Sequence, residues 1–178
     1  MLKDTEMPDK LQTQNIEAEK SLLGSLMLDK NAIIKVADFL QPKDFYKGVH
    51  QEIYSVMQNL FERTEPIDLL SVSAGLKEKE KLKEIGWNAY LTDLINTVHT
   101  ATHVLNYAKI VKNLSTKREL ISAASRLVED AFAEEKSVAE ILDRAEKLVF
   151  GLSQQHLQRQ FIPIKDALAQ SFDRLDEL

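Results

Sequence analysis

The sequence predicts an all-α protein, in which a compact helical bundle is followed by a long helical hairpin and a linker helix. The chain of 178 residues has only five glycines and four prolines, too few turn formers for an all-β fold. Leucine, alanine, lysine and glutamate, which favour helices, are abundant. Beyond the first 13 residues or so, apolar residues recur with the helical period of 3.6, and the connections between these segments are short.

Composition and charge restrict the function. The chain has no cysteine, which excludes disulfides, thiolate metal sites and a cysteine nucleophile. Its formal net charge is −5, and lysines alternate with glutamates without forming the basic stripe of a nucleic-acid-binding surface. We therefore expect any action on DNA to run through a partner or a missing part of the protein. No segment resembles a signal peptide or a membrane span, so the predicted location is the cytoplasm, without a membrane partner.

Residues 1–13 are predicted to be a disordered leader, and the first helix follows in "QNIEAEKSLLGSLMLD". Asn15 is the expected N-cap, and Glu17 and Glu19 lie in the first turn, where the helix dipole favours acidic side chains. Gly24 interrupts the leucines of this helix, and a glycine there costs about 1 kcal/mol against alanine. We interpret Gly24 as a point of close approach to another helix of the globular unit, so that Gly24→Leu would overpack the core.

The remaining elements of the globular unit follow in order. Asp29 is the expected cap of a second helix, "KNAIIKVADFL", and a third helix lies in "FYKGVHQEIYSVMQNLF". Asp68 opens the next helix and Gly86 closes that segment. "WNAYLTDLINTV" is an amphipathic turn and helix. Because every segment has helical spacing, residues 14–113 are predicted to form one compact helical domain.

Residues 114–153 are predicted to form a hairpin of two longer helices, "STKRELISAASRLVEDAF" and "SVAEILDRAEKLVFGL". Each begins with a capping box, Thr116 with Glu119 and Ser137 with Glu140. The apolar stripe on each arm is about 100° wide or more, which is wider than one helical partner covers. Two arrangements would cover the rest: the hairpin folds back on its own globular unit, or it packs against the hairpin of a second copy in a four-helix bundle.

The C-terminal part is predicted to consist of a linker, residues 154–163, and a linker helix, residues 164–178. The sequence ends within the apolar pattern of this helix, so we expect a fragment of a longer protein whose last helix docks on another domain. The expected docking face consists of Ile164, Leu168, Phe172 and Leu175.

No motif predicts a catalytic, cofactor-binding or metal site. His99 and His103 have metal-ligand spacing, but Thr100 stands where a zinc protease motif has its glutamate, so a polar helix boundary is the favoured interpretation. His50, beside Glu52, is expected to be packed or solvated. No P-loop or G-x-G-x-x-G pattern occurs. The rival hypothesis from another class is a small metal-dependent helical hydrolase built on the histidines.

Several segments together resemble one protein family. They are "NIEAEKSLLGSLMLD", "LQPKDFYKGVHQEIYSVMQNL", "EPIDLLSV", "LKEIGWNAYLTDLINTV" and "NYAKIVKNLSTKREL", with "ILDRAEKLVFGL" and "FIPIKDALAQSFDRLDEL" further on. In this order and spacing they resemble the N-terminal domain, with its hairpin and linker helix, of bacterial-type replicative DNA helicases of the DnaB family. The resemblance covers nearly the whole chain. Local departures are Trp87 directly after Gly86 and the stretch "VHTATHV".

The resemblance implies a role in assembly. In that family, hairpins pair head to head, three such dimers form a hexameric ring collar, and the collar receives primase and in some systems a helicase loader. The family's ATP-dependent 5′–3′ helicase motor would lie beyond Leu178 and would hold ATP and magnesium. This fragment would then have no cofactor and no enzymatic activity, and it would meet DNA only through the motor.

The resemblance also suggests which residues make these contacts. Tyr90 and Ile121 are the candidates for contact with primase. The alternative for each candidate is ordinary intramolecular packing, and the alternative for the whole chain is a stand-alone helical adaptor or loader-like protein without a motor. The candidates for the hairpin dimer interface are Leu120, Leu127, Val128, Ala131, Ile141, Ala145 and Leu148.

Overall fold

The structure is a computed structural model that describes residues 13–78, 87–98, 100–133 and 135–157. The predicted all-α fold is confirmed, and no strand occurs among the described residues. Three short 3-10 helices, Ala32–Lys35, Pro42–Asp44 and Ala101–His103, lie between the longer helices. The α-helices are α1 (Ile16–Leu28), α2 (Gly48–Glu62), α3 (Leu69–Glu78), α4 (Trp87–Asn96), α5 (Val104–Phe132) and α6 (Val138–Leu157).

The chain divides into two compact units, residues 1–119 and residues 120–178, and the boundary falls within α5. We call the first the globular unit and the second the hairpin unit. The predicted closing residue Gly86 and most of the predicted leader lie outside the described residues, as does the whole predicted linker helix. Across the described residues, no helix combines the length and the apolar character needed to cross a membrane.

Three of the predicted helix starts are confirmed by their hydrogen bonds. The Asn15 side chain accepts the Ala18 N–H at 2.9 Å, and the Asp68 carboxylate accepts the Ser71 N–H at 2.9 Å. At the start of α6, the Ser137 N–H donates to the Glu140 carboxylate at 2.9 Å. The Glu140 N–H in turn donates to the Ser137 hydroxyl at 3.3 Å, which completes the predicted capping box.

The predicted second helix is wrong. After α1, only the 3-10 helix Ala32–Lys35 and turns follow, up to Leu40. The Asp29 carboxylate accepts the N–H of Asn31, two residues on, at 2.9 Å. An N-cap makes the same bond, but here the backbone continues with bonds to carbonyls three or four residues back and forms no regular α-helix. The apolar residues of this segment are therefore spaced along a series of turns and not along one face of an α-helix.

The predicted helix start at Thr116 is also wrong, because α5 runs without interruption from Val104 to Phe132. The Thr116 hydroxyl donates to the Lys112 carbonyl at 3.1 Å, which is a mid-helix bond to the preceding turn. The S/T-x-x-E pattern at this position was misleading, since threonine can satisfy its hydroxyl inside a helix as well as at a cap.

Gly24 has the role predicted for it. In the globular unit α1 packs against α4, and α2 packs against α3. A β-carbon added at Gly24 would lie 2.1 Å from the backbone carbonyl oxygen of Leu94 in α4 and 2.9 Å from a methyl group of Val98. Because a backbone carbonyl cannot move aside as a flexible side chain can, only glycine permits this approach of α1 to α4.

Candidate protein-interaction surfaces

The two arms of the hairpin unit are joined through Asp130, near the end of α5. Its carboxylate accepts a hydrogen bond from the Lys136 ammonium in the turn and lies 3.0 Å from the guanidinium of Arg144 in α6. The hydrogen bond from Lys136, supported by the charge of Arg144, lowers the pKa of Asp130 below its ordinary value of 3.8. The ion pair to Arg144 marks the side of each arm that faces the other.

Four of the seven predicted dimer-interface residues lie on this inner side. Leu127 is three residues before Asp130 on α5, and Ile141 is three residues before Arg144 on α6, so each pair shares one helix face. Leu127, Ile141, Ala145 and Leu148 are all half-buried. These four side chains therefore lie on the same side of their helices as the ion pair of Asp130 with Arg144.

The other three predicted interface residues, Leu120, Val128 and Ala131, are exposed. They belong to a second apolar stripe, which we call the outer stripe, and Val128 within it is 55% exposed. Phe132, at the end of α5, is 84% exposed. Helical spacing reveals a wide stripe, but it does not tell which edge of that stripe meets the other arm. The outer stripe contains Leu120, Ile121, Val128, Ala131 and Phe132 on α5, and Val138, Leu142, Val149 and Phe150 on α6.

Tyr90, a predicted primase contact, ends a buried hydrogen-bonded relay in the globular unit. The His50 side chain is fully buried, and its Nδ1 lies 2.5 Å from a carboxylate oxygen of Glu19. The opposite ring nitrogen, Nε2, lies 2.7 Å from the Tyr90 hydroxyl. The imidazole and phenol rings are stacked, with centroids 6.1 Å apart and an interplanar angle of 15°. His50 is therefore packed, as expected, and its carboxylate partner is Glu19 of α1.

The Glu19 carboxylate has further partners on the backbone. One oxygen accepts the Tyr46 N–H at 2.6 Å, and the other accepts the Lys47 N–H at 3.4 Å. Glu19 lies in the first turn of α1, as predicted, but it is buried and its role is to accept these hydrogen bonds. The relay joins α1, α2 and α4 at one point. Nothing in helical spacing indicates that residues 19, 50 and 90 meet.

Tyr90 itself is only half-buried. Burial raises the pKa of Tyr90 above its ordinary value of 10.0, and the negative charges of Asp93, Glu19 and Glu17 raise it further. Its phenol therefore stays protonated at neutral pH. Ile121, the other predicted primase contact, is exposed and belongs to the hairpin unit.

A second buried polar cluster anchors α5 to the globular unit. The fully buried Asp44 carboxylate accepts hydrogen bonds from Lys112 at 2.7 Å and from the Ser115 hydroxyl at 2.8 Å. Arg118 donates to the backbone carbonyls of Asp44 at 2.6 Å and Thr13 at 2.7 Å. The first part of α5 is thus fixed by charge-assisted hydrogen bonds as well as by apolar packing.

The histidines do not assemble into a metal centre in the part of the chain that the structure describes. No group of three or more histidine, aspartate or glutamate side chains there could hold a metal ion. His103 is exposed in the last 3-10 helix, and His99 lies outside the described residues.

The fold defines an all-α domain in which one long helix of a globular unit continues into an amphipathic helical hairpin. Comparison with known proteins specifies the family. The family model "DnaB-like helicase N terminal domain" matches residues 11–113. The chain belongs to this family.

Known relatives agree with this assignment. The chain is 39% identical over 170 residues to the replicative DNA helicase DnaC of Bacillus subtilis, and 37% identical over 170 residues to the replicative DNA helicase DnaB of Geobacillus stearothermophilus. Each alignment covers 96% of this chain and 37% of the relative, so the chain spans little more than a third of their length.

Among solved structures, the N-terminal domain of DnaB helicase from Mycobacterium tuberculosis superimposes with a TM-score of 0.74 at 38% identity. The superposition covers 79% of this chain and 98% of that one. A DnaB-like replicative helicase, described together with its interactions with primase, shares the fold with a TM-score of 0.71 at 24% identity, over 92% of this chain and 36% of that one.

Proposed function

We propose that this chain acts in DNA replication as the N-terminal assembly and docking domain of a replicative helicase. Its hairpin pairs with the hairpin of a second copy, three such pairs form a ring collar, and the collar receives primase and a helicase loader. The ATP-driven unwinding belongs to a motor domain outside this sequence, and the 178 residues have no catalytic role of their own.

The observation that carries the assembly proposal is the outer stripe of the hairpin unit. The residues on the side of the Asp130–Arg144 pair are half-buried, yet large apolar side chains such as Phe132, Val138 and Leu142 are more than half exposed. Contiguous exposed apolar surface of this kind is typical of a protein interface. A second hairpin supplies the same stripe on two antiparallel helices, so two copies would cover each other in an isologous contact.

The primase proposal rests on family membership and on the position of Tyr90 and Ile121. Interaction with primase is described for the DnaB-like helicase that shares this fold. Tyr90 offers a half-buried aromatic ring with a polar tip, and Ile121 offers an exposed apolar side chain, which are features enriched in protein interfaces. A ring of several copies would raise the local concentration of bound primase through multivalency.

The assembly proposal predicts the outcome of light scattering on the purified chain. We expect the molar mass to rise with concentration to at least twice the 20.3 kDa of one chain. Val128→Glu places a charge on the outer stripe and should weaken association by about tenfold or more, because burying an unpaired carboxylate is costly. The matched control is Ser122→Glu, on an exposed position of α5 about 120° further around the helix.

The two variants separate the possible outcomes. Association that is lost with Val128→Glu and kept with Ser122→Glu supports pairing through the outer stripe. A chain that stays monomeric at every concentration contradicts self-assembly by this fragment, and equal effects of the two substitutions would place the interface elsewhere.

A further inference from the structure

For a neutral His50 ring, the relay of Glu19, His50 and Tyr90 determines which way the Tyr90 hydroxyl proton points. A carboxylate offers only acceptors, so the His50 nitrogen that meets Glu19 must carry a proton. In the neutral imidazole the other nitrogen, Nε2, is then an acceptor, and the only group that can satisfy it at 2.7 Å is the hydroxyl proton of Tyr90. The Tyr90 hydroxyl then donates its only proton to Nε2 of His50.

The Tyr90 oxygen can therefore bind a partner only as a hydrogen-bond acceptor, through its lone pairs. A phenol has one donor and acceptor capacity on oxygen, and with the donor engaged by His50 only the acceptor capacity remains. A partner group that approaches the Tyr90 oxygen forms a hydrogen bond only if it is a donor. A carboxylate or a carbonyl group would face a lone pair and be repelled.

The charges around Tyr90 favour a cationic donor. Glu17 and Asp93 are exposed, on the helices α1 and α4 respectively, and both act electrostatically on the phenol. The buried Glu19 carboxylate acts on it as well. The one cation paired here among the described residues, Lys20, lies 3.7 Å from Asp93 and neutralises part of this field. The charged groups that act on the Tyr90 phenol are thus carboxylates.

We propose that Glu19 and His50 are positioning residues that hold the Tyr90 hydroxyl as a hydrogen-bond acceptor, and that the group it receives on the docked partner is the side chain of a lysine or an arginine. This inference rests on the proposed function, which makes Tyr90 a primase contact. It adds two points to that function. The primase surface presents a cationic side chain to Tyr90, and two buried residues, Glu19 and His50, affect binding without contacting primase.

A single isosteric substitution reverses the relay. In Glu19→Gln, the amide oxygen should take the position that accepts the Tyr46 N–H at 2.6 Å, because an NH₂ group there would oppose that donor far more closely than the Lys47 N–H, 3.4 Å from the other position. The NH₂ group then meets His50 Nδ1, which becomes an acceptor, and the ring proton moves to Nε2. Nε2–H donates to the Tyr90 oxygen, and the hydroxyl proton of Tyr90 turns outward.

The first measurement is the ¹⁵N NMR spectrum of the imidazole nitrogens of His50 in the 178-residue chain without a partner. We expect a neutral ring with the proton on Nδ1 in the wild type and on Nε2 in Glu19→Gln. Tyr90→Phe should shift the Nε2 resonance by removing its hydrogen bond. A wild-type ring that is protonated on Nε2, or on both nitrogens, at neutral pH overturns the inference whatever primase does.

The second measurement is the affinity of the same proteins for purified primase at several salt concentrations. Tyr90→Phe and Glu19→Gln should each weaken binding by about tenfold, as expected for loss of a hydrogen bond to a charged group. The double variant should be no weaker than either single variant, because both remove the same acceptor. Asp93→Asn should weaken binding and flatten its salt dependence.

The outcomes distinguish the inference from the proposed function. If the wild type binds primase and Tyr90→Phe binds equally well, the inference fails and docking elsewhere survives. If Glu19→Gln binds more tightly, the partner group is an acceptor and the inference is wrong. If the wild type does not bind primase at all, the proposed docking function fails and the assigned partner chemistry fails with it, while the NMR result still decides the polarity of Tyr90.

Discussion

In the globular unit, large apolar side chains such as Tyr54, Phe45 and Leu22 are completely buried, and polar groups inside are paired. In the hairpin unit, no apolar side chain that the structure describes is buried to this extent. The residue that is buried there among the described residues is the charged Asp130. The same 3.6 period thus produces a closed core in one region and two half-covered faces in the other. A helix pair cannot bury a stripe as wide as the one it carries.

This difference separates two sources of stability. The globular unit is stabilised by its own core and by buried polar clusters whose removal would leave unpaired charges. The hairpin unit depends on a few ion pairs, on helix propensity and on whatever covers its outer stripe. Substitutions of the same kind should therefore have unlike effects in the two units.

The largest effect is expected from Asp44→Ala in the globular unit. The substitution leaves the Lys112 ammonium and the Ser115 hydroxyl without their buried partner. Breaking a buried ion pair by removing one member typically costs about 3–5 kcal/mol of unfolding free energy. Urea denaturation followed by circular dichroism measures this loss.

The control is Lys43→Ala, which removes the exposed ion pair of Lys43 with Glu119 at 3.2 Å. Exposed pairs contribute about 0–1 kcal/mol, so this variant should unfold almost like the wild type. Equal losses in Asp44→Ala and Lys43→Ala would contradict the anchoring role of Asp44.

The glycines give the next largest contrast. Gly24→Ala forces a methyl group against the Leu94 carbonyl oxygen and should destabilise the chain by about 1–3 kcal/mol. Gly151→Ala, within α6, meets nothing within 4 Å. Since alanine is favoured over glycine in a helix by about 1 kcal/mol, this variant should be more stable by up to that amount. The midpoints of thermal unfolding should therefore move in opposite directions, and a shift of the same sign in both would refute this explanation.

Features encoded by neighbouring residues could be predicted from the sequence. Asn15, Asp68 and the box of Ser137 with Glu140 are caps whose partners lie within three residues, and all three are present. Gly24 could be interpreted because a glycine in an apolar helix face has few explanations. The segment after Asp29 and the start at Thr116 failed because a side-chain bond two residues on, or one turn back, satisfies the same residue types.

Contacts between residues that are far apart in the chain could not be predicted from the sequence. Glu19 and His50 are 31 residues apart, and Asp44 and Lys112 are 68 residues apart. A single sequence contains no signal that pairs one acidic residue among many with one base. The inner and outer edges of the hairpin stripe could not be separated for a related reason, because Leu127 and Val128 are both apolar and differ in exposure, which the sequence does not reveal.

A smaller effect is expected at the end of α2. Thr64 has a φ of 59°, in the left-handed region, where it closes the helix through bonds from Thr64 N–H to Phe61 and from Glu65 N–H to Leu60 at 3.0 and 2.8 Å. A β-branched residue is strained in this conformation, whereas glycine adopts it freely. Thr64→Gly should therefore stabilise the globular unit by about 1 kcal/mol, less the entropy that glycine adds to the unfolded chain. Lower stability on thermal unfolding would show that the Thr64 side chain matters more than its strain.

The smallest expected effect is the stability that the Asp130 carboxylate contributes to the hairpin unit and that is lost at low pH. Because Lys136 and Arg144 lower the pKa of Asp130 below 3.8, the ionised form stabilises the folded state. This contribution is complete above the ordinary value of 3.8, and it is lost as the pH falls below 3.8 through the lowered pKa. Asp130→Asn should remove it at every pH. The effect is small since the cations beside Asp130 are partly solvated.

The measurement is urea unfolding followed through the amide resonances of α6, at about pH 6 and about pH 3, in the wild type and in Asp130→Asn. The wild type should lose more stability than the variant between the two conditions. Glu140, whose pKa is also lowered by hydrogen bonds from Ser137, is present in both proteins, so its contribution cancels in the comparison. An equal acid loss in the two proteins would mean that Asp130 does not join the arms in solution, and the assignment of inner and outer faces in the hairpin would then lose its main geometric support.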